Sequence, residues 1–249
     1  MIAPIALTVC MFALWGVSLR LRDSSIVDLF WGPAFVVVAW ITVVEFDPTP
    51  RGLLVAGLVS VWGLRLGLYL ARRNLGHGED KRYTAMRQRH GDAWWWRSVF
   101  IVFGLQGVLV WAVSVPLRAA IVSSFEGWAW TDVLGTSLVV IGVAFESIGD
   151  WQLARFKADP ANKGKIMQRG LWRYTRHPNY FGDFVTWWGF GVFGVARGDW
   201  FNVIGPIVMS VLLIRVSGKA LLEAGMKGRP GFAEYEARTS GFFPWWPRP

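Results

Sequence analysis

Charge, cysteine and histidine are the scarce commodities of this chain. Only 17% of its 249 residues are Asp, Glu, Lys or Arg, and it has one cysteine and three histidines. One thiol excludes a disulfide framework and a thiolate metal cage. Cys10 lies in an apolar run and reads as a small buried hydrophobe. His77, His90 and His177 show neither HxxxH nor HExxH spacing, which argues against a metal site. A chain so poor in charge is not disordered, and without heptads it is not a coiled coil. There is no GxSxG elbow, no P-loop and no GxGxxG after a strand, and nothing alternates β with α as a Rossmann domain would. Internal repeats, low-complexity tracts and a separate soluble domain are also missing.

Apolar and aromatic residues fill the space. Hydrophobic residues make up 53%, with 17 Trp and 17 Phe, and the mean hydropathy is +0.36. A bilayer core takes about 20 apolar residues per helix. Seven stretches qualify: 2–19, 25–46, 52–71, 98–122, 130–149, 180–196 and 199–216. The expectation is an all-α integral membrane protein of seven transmembrane helices, forming one domain over 1–249. The first stretch lacks a basic leader and a small-residue cleavage site, so it reads as a retained span. The sixth and seventh, joined by Arg197-Gly198-Asp199, are expected to form a tight hairpin.

Net charge is +9, which in a soluble domain would suggest nucleic acid. Here it has a different reading. Most of the 26 Lys and Arg residues fall in loops 20–24, 72–97 and 150–179 and in the tail, while Arg51, Arg118 and Arg197 lie on the other side. The positive-inside rule then puts the amino terminus outside and the carboxyl terminus in the cytoplasm, as in a bacterial inner membrane. Membrane lipids are expected partners; nucleic acid and an obligate protein partner are not. Trp94-Trp-Trp96 and Trp187-Trp188 read as interfacial belts or cavity walls, and Trp245-Trp246 as a headgroup anchor.

Ionisable residues at membrane depth are costly and usually face a cavity or a partner. Asp28, Arg65, Tyr69, Glu146, Asp150 and Asp183 form that short list. Arg65 and Tyr69, Glu146 and Asp150, and Asn179 and Asp183 are each four apart, so each pair shares a helix face. Pairing that merely holds helices together would explain any one of them. Six near the cytoplasmic halves of four spans favour a polar cavity open to the cytoplasm. Beside it, Lys157, Lys163, Gly164 and Lys165 suit phosphates, since glycine lets backbone approach closely. Pro178 starts a helix whose amino-terminal end favours an anion. A headgroup-binding patch would explain the lysines, but not the buried acids. His177, isolated beside a proline, is expected to bond backbone or cofactor.

The run Gly170-Leu-Trp-Arg-Tyr-Thr-Arg-His-Pro-Asn-Tyr-Phe-Gly-Asp183 resembles bacterial members of the steroid 5-alpha-reductase superfamily. The resemblance extends from Ser25 to Arg238-Thr-Ser-Gly-Phe-Phe-Pro-Trp245 and is strongest over 146–183. It implies a seven-helix enzyme that takes NADPH from the cytoplasm and reduces a carbon–carbon double bond conjugated to a ketone, in a steroid or similar lipid. Segment 25–97 would then be the substrate side and 130–249 the cofactor-binding part. By position, the family's cofactor residues match Glu146, Asp150, Lys157, Lys165, Asn179 and Asp183, and its ketone-binding acid and tyrosine match Asp28 and Tyr69. Lys163 joins the cofactor set by chemistry alone.

The departures are Val27-Asp28 for Gln-Glu, Glu146 for Asn, and Lys157 and Lys165 for Arg, which loses bidentate phosphate geometry. On this reading Asp28 orients the Tyr69 hydroxyl toward the enolate oxygen. Tyr235 and Arg238 suit an adenine or ribose, and segments 72–97, 150–179 and 217–249 form a cap ordered by cofactor. Arg176-His-Pro-Asn-Tyr180 also occurs in isoprenylcysteine and phospholipid methyltransferases, which use S-adenosylmethionine. Those tend to carry paired glutamates where this chain has Glu223 alone. A non-enzymatic lipid carrier is the third alternative.

Overall fold

The computed structural model describes residues 2–123, 127–195 and 200–249. Among them there are helices and no strands, with one isolated parallel bridge between Thr175 and Ser240. The expected hairpin joint at Arg197-Gly198-Asp199 lies outside the described residues.

The chain divides into two compact units, Met1–Trp128 and Ala129–Pro249. In the first, α1 (Ala3–Leu21) ends where Arg22 turns left-handed at φ 52°. α2 (Ile26–Glu45) and α3 (Pro50–Asn74) follow. Thr49 caps α3 by accepting from the Gly52 amide, and Pro50 fills the first position, where a missing N–H costs nothing. Asp80 caps α4 (Lys81–His90). α5 (Trp94–Ser98), a π-helical stretch over Val99–Gly104 and α6 (Leu105–Val113) form one run, and α7 (Val115–Val122) starts afresh. The expected span 98–122 therefore breaks at Ser114, because Pro116 has no N–H to continue the ladder.

In the second unit, α8 (Trp130–Ala158) opens with Asp132 accepting from the Ala129 amide at 2.8 Å. α9 (Pro178–Val195), α10 (Ile204–Val211), α11 (Lys219–Met226) and α12 (Phe232–Arg238) complete the chain.

Among the described residues, six helical runs are long and apolar enough to cross a bilayer: α1, α2, α3, Lys81–Val113, α8 and Trp200–Met226. This is an integral, multi-pass membrane architecture. The expected sixth span, 180–196, is helical as α9 but is not one of those runs. Asn179, Asp183 and its tryptophans lower its hydropathy, and much of it, including Trp187, Phe190 and Phe193, is buried in protein. Val44, Val61, Val108, Val133 and Val140 are each more than half exposed. Such outward valines would be unfavourable in water and are matched by lipid.

Close glycine contacts build both units. In lipid, helices associate by van der Waals packing of small residues rather than by the hydrophobic effect. In the first unit Gly63 abuts Gly32: a Cβ on Gly63 would lie 2.5 Å from the Gly32 carbonyl oxygen. In the second, Gly135, Gly142 and Gly149 recur every seventh residue along α8. They meet Gly189, Gly182 and Pro178 of α9 in antiparallel order, and a Cβ on Gly142 would lie 2.5 Å from the Gly182 oxygen. This close pair fixes where the polar side chains of α8 and α9 face one another.

Candidate functional site

Polar residues gather where α8 and α9 converge. Asn179 Nδ2 donates to Asp150 Oδ1 at 3.2 Å, and Asn179 Oδ1 accepts from the Tyr180 amide at 3.1 Å. Glu146, one turn deeper than Asp150, is buried against Gly182, where a Cβ would lie 2.9 Å from Glu146 Cγ. Asp183 follows Asn179 by one turn, with Oδ1 buried. Segment 170–172 is tied to α8: Trp172 Nε1 donates to the Gly149 oxygen at 3.0 Å, and the Leu171 amide to Gln152 Oε1 at 3.0 Å.

Beyond α8 the chain turns sharply. Asp159 accepts from the Ala161 amide, and Asn162 Nδ2 donates to the Phe156 oxygen at 3.1 Å. Asn162 thus serves its own turn. Lys157, Lys163 and Lys165 are exposed, with Gly164 between the last two at φ 81°.

The tail is docked on segment 172–177. The Arg176 amide donates to the Ser240 oxygen at 2.9 Å, Thr175 Oγ1 to the Phe242 oxygen at 2.7 Å, and the Trp245 amide to the Tyr174 oxygen at 2.9 Å. Tyr235 was expected to offer its ring to a ligand. It is instead a buried strut whose hydroxyl donates to the Trp172 oxygen at 2.6 Å, and burial pushes its phenol up. Arg238 is exposed, and its carbonyl accepts from the Arg248 amide.

Sequence reasoning did not place Arg176 or Glu223 in a site, yet they form the most buried charged network in this unit's tail. Arg176 Nε donates to Glu223 Oε1 at 2.8 Å, and Nη1 donates to the carbonyls of Glu236 at 3.0 Å and Thr239 at 2.7 Å. His177 Nε2 reaches the same Glu223 oxygen at 3.0 Å, and its ring stacks on Tyr180. Burial pushes the His177 pKa down, and the pull of Glu223 in the other direction does not overcome it. The imidazole is therefore neutral at pH 7, with Nε2–H as donor. The available signal was a lone acid in Leu221-Leu-Glu223-Ala.

In the first unit, Asp28 Oδ1 accepts from the Tyr83 hydroxyl at 2.6 Å and Oδ2 from Arg82 at 2.8 Å. Glu79 accepts from Arg87 at 2.7 and 3.0 Å and from the Ser24 amide at 2.7 Å. Burial acts to raise Glu79, but these donors outweigh it and hold its pKa below the usual range. The phenol bonded to Asp28 is Tyr83, which the sequence reading passed over. Tyr69 lies near the same end of the α2/α3 pair, since Gly67 abuts Leu29 and Pro33, and its ring is 5.6 Å from the Arg73 guanidinium. Elsewhere in this unit, α1 and the π-helical stretch enclose an apolar groove of about 370 Å³, lined by Leu7, Met11, Trp15, Phe103, Gly107 and Trp111. Among the described residues no cluster of His, Cys, Asp and Glu is suited to a metal ion.

Residues 14–239 match the family described as "Protein of unknown function (DUF1295)". The chain belongs to that family. DUF1295 is distantly related to steroid 5-alpha-reductase-like membrane proteins. An uncharacterized protein of the fission yeast Schizosaccharomyces pombe is 24% identical over 271 residues, spanning 93% of this chain and 75% of the relative. No solved structure matches. The matched region of this DUF1295 protein includes Asp28, the α8/α9 polar set and the Arg176–His177–Glu223 network.

Proposed function

We propose that this DUF1295 protein is an NADPH-dependent membrane reductase acting on the carbon–carbon double bond of a hydrophobic enone, a 3-oxo-delta-4 steroid or a similar lipid. The supporting observation is the α8/α9 polar set, Glu146, Asp150, Asn179 and Asp183, in the same unit as the exposed lysines 157, 163 and 165. Amide and carboxylate groups of this kind suit a carboxamide and ribose hydroxyls, and exposed lysines suit phosphates. Asn162 and Tyr235 do not fit such a role, because their own bonds occupy them. NADPH, when bound, supplies the hydride.

The chain's own contribution is to bind, orient and polarise. Tyr69 donates to the ketone oxygen as charge develops on it, an interaction worth about 3 kcal/mol in comparable oxyanion sites. Asp28, which accepts from Tyr83 and Arg82 and keeps further lone pairs as a carboxylate, orients the Tyr69 hydroxyl. The cofactor side faces the cytoplasm of a bacterial inner membrane.

Titration of the detergent-solubilised protein with NADPH tests the reading. Saturable binding that weakens with salt is expected, because exposed phosphate contacts are screened. Tyr69→Phe should cut turnover far more than it weakens NADPH binding, and an equally active variant would remove Tyr69 from the mechanism. One observation favours a second reading, an S-adenosylmethionine-dependent methyltransferase: Arg176 and His177, from the motif shared with those enzymes, close on Glu223. Binding of S-adenosylmethionine with no response to NADPH would put that reading first. A lipid carrier would use the apolar groove but leaves the α8/α9 set without a role.

A further inference from the structure

The apolar groove of the first unit ends beside an arginine. Trp15 Nε1 donates to the Trp95 oxygen at 2.8 Å, and a Cβ on Gly107 would meet Met11 Cγ at 3.4 Å. α1 and the run 94–113 are therefore antiparallel. The groove between them extends from Trp15 and Val99 at one end to Pro4 and Trp111 at the other. Pro4 to Trp15 is a stretch of about 16 Å at 1.5 Å per residue. That is close to half of a ~30 Å bilayer core, the depth of a single leaflet. Apart from its tryptophans, Thr8 is the one polar side chain in the lining, and its hydroxyl already donates to the Pro4 oxygen at 2.8 Å. Phe12 and Val108 on the rim are more than half exposed, so the groove opens sideways. One wall includes the π-helical stretch Val99–Gly104, a distortion frequent at functional sites.

Arg118 stands at the Trp111 end. Its guanidinium lies 3.5 Å over the Trp111 ring, held there by Nε donating to Ser114 Oγ at 3.2 Å and Nη2 to the Trp111 oxygen at 3.1 Å. These partners are all neutral, and among the described residues no carboxylate pairs with Arg118. α7 folds back on the start of α3, where a Cβ on Gly52 would lie 2.9 Å from the Ile121 oxygen. The half-buried guanidinium thus sits at the membrane boundary, just beyond the Lys81–Val113 crossing. A cation at that level is costly unless an anion meets it, and Nη1 keeps its protons for one.

We infer that the groove and Arg118 together form a site for one phospholipid, with an acyl chain in the groove and the headgroup phosphate on Arg118. The groove has the length of one chain in one leaflet. The arginine supplies the charge complement that separates a phosphate headgroup from a neutral one. Stacking on Trp111 holds the guanidinium in place before the lipid arrives. None of the residues given to the cofactor or the enone takes part, so the inference stands apart from the reductase reading.

Photo-crosslinking of the full-length protein in maltoside detergent tests it, with phosphatidylglycerol carrying a mid-chain diazirine as the probe. Label should fall on segments 4–15 and 99–111. Unlabelled phosphatidylglycerol should suppress it about tenfold better than diacylglycerol of the same chains, the worth of one charge-assisted hydrogen bond. That competition needs no variant to fold. Arg118→Gln should lower the labelling by about the same factor, and Arg118→Lys should restore most of it. Arg169→Gln, at an exposed arginine of the second unit, should label as wild type does. Gly107→Leu fills the groove and should remove label from both segments. Equal suppression by diacylglycerol and phosphatidylglycerol, or equal labelling of Arg118→Gln and wild type, would overturn the proposal. So would a neutral enone lipid that displaces the probe as well as phosphatidylglycerol does, since the groove would then take apolar ligands without regard to a phosphate.

Discussion

Each unit contains a carboxylate shared between an arginine and a ring-borne donor, but the two settings differ. In the first unit Asp28 joins Arg82 and Tyr83, with side-chain exposures of 19% for Asp28 and 40% for Arg82. In the second, Glu223 joins Arg176 and His177, exposed by 12%, 8% and 1%. Water screens the first pair, and exposed ion pairs contribute about 0–1 kcal/mol. The second is enclosed, where removing one partner leaves a charge without compensation. Similar ties are therefore adjustable in one region and structural in the other.

Removing the central acid should separate them most. Glu223→Ala strands the buried Arg176 and should destabilise the tail by about 3–5 kcal/mol, read as early proteolysis within 217–249 and a lower thermal midpoint in detergent. A tail as resistant as wild type would mean that the backbone bonds at Ser240 and Phe242 hold it alone.

The glycine contacts come next. Gly142→Ala drives a methyl into the Gly182 carbonyl and should cost about 1–3 kcal/mol. Gly57→Ala, where nothing lies within 4 Å, should be neutral or stabilising by about 0.5–1 kcal/mol through helix entropy. Thermal midpoints of the two variants moving in the same direction would dissolve this contrast. In the first unit's polar tie, Tyr83→Phe should cost about 1 kcal/mol, the value of one hydrogen bond.

The smallest effect is a pH dependence that differs between the units. His177 has a pKa below its ordinary 6.5, so the unfolded chain takes up its proton first as pH falls. Its contribution is complete above pH 6.5 and is lost on acidification below that value. Glu79 and Asp80 are held below their ordinary 4.5 and 3.8. Their contribution is complete above those values and fades only as pH drops through the lower folded pKa. Hydrogen exchange should show the tail loosening at a higher pH than the start of α4 that Glu79 and Asp80 hold, and His177→Gln should erase the difference.

Much of the site's raw material was legible. Polar residues in apolar spans stand out by their cost, so Asp28, Glu146, Asp150 and Asp183 were visible at once, as was the Asn179 turn after Pro178. Partners were harder. Tyr83 sits 55 residues from Asp28, and no local pattern announces that a tyrosine after a basic loop folds back onto α2. Tyr235 looked available because aromatic rings in glycine-rich tails often are, whereas the Trp172 carbonyl claims its hydroxyl. Glu223 looked incidental because its partners lie 46 and 47 residues away.

Composition and hydropathy by themselves determined the class of molecule: apolar stretches of bilayer length must become helices, since lipid offers backbone amides no other partner. They also determined which residues would be costly to bury. Tertiary structure alone decided that α9 packs as a protein-buried helix against α8, because its glycines matter only once Gly135, Gly142 and Gly149 are found opposite them. It alone decided that Asp28 belongs to Tyr83 and Arg82, and that Arg176, His177 and Glu223 lock the tail. A residue's burial cost is local to the sequence, but the donor that offsets it is chosen by which helices meet.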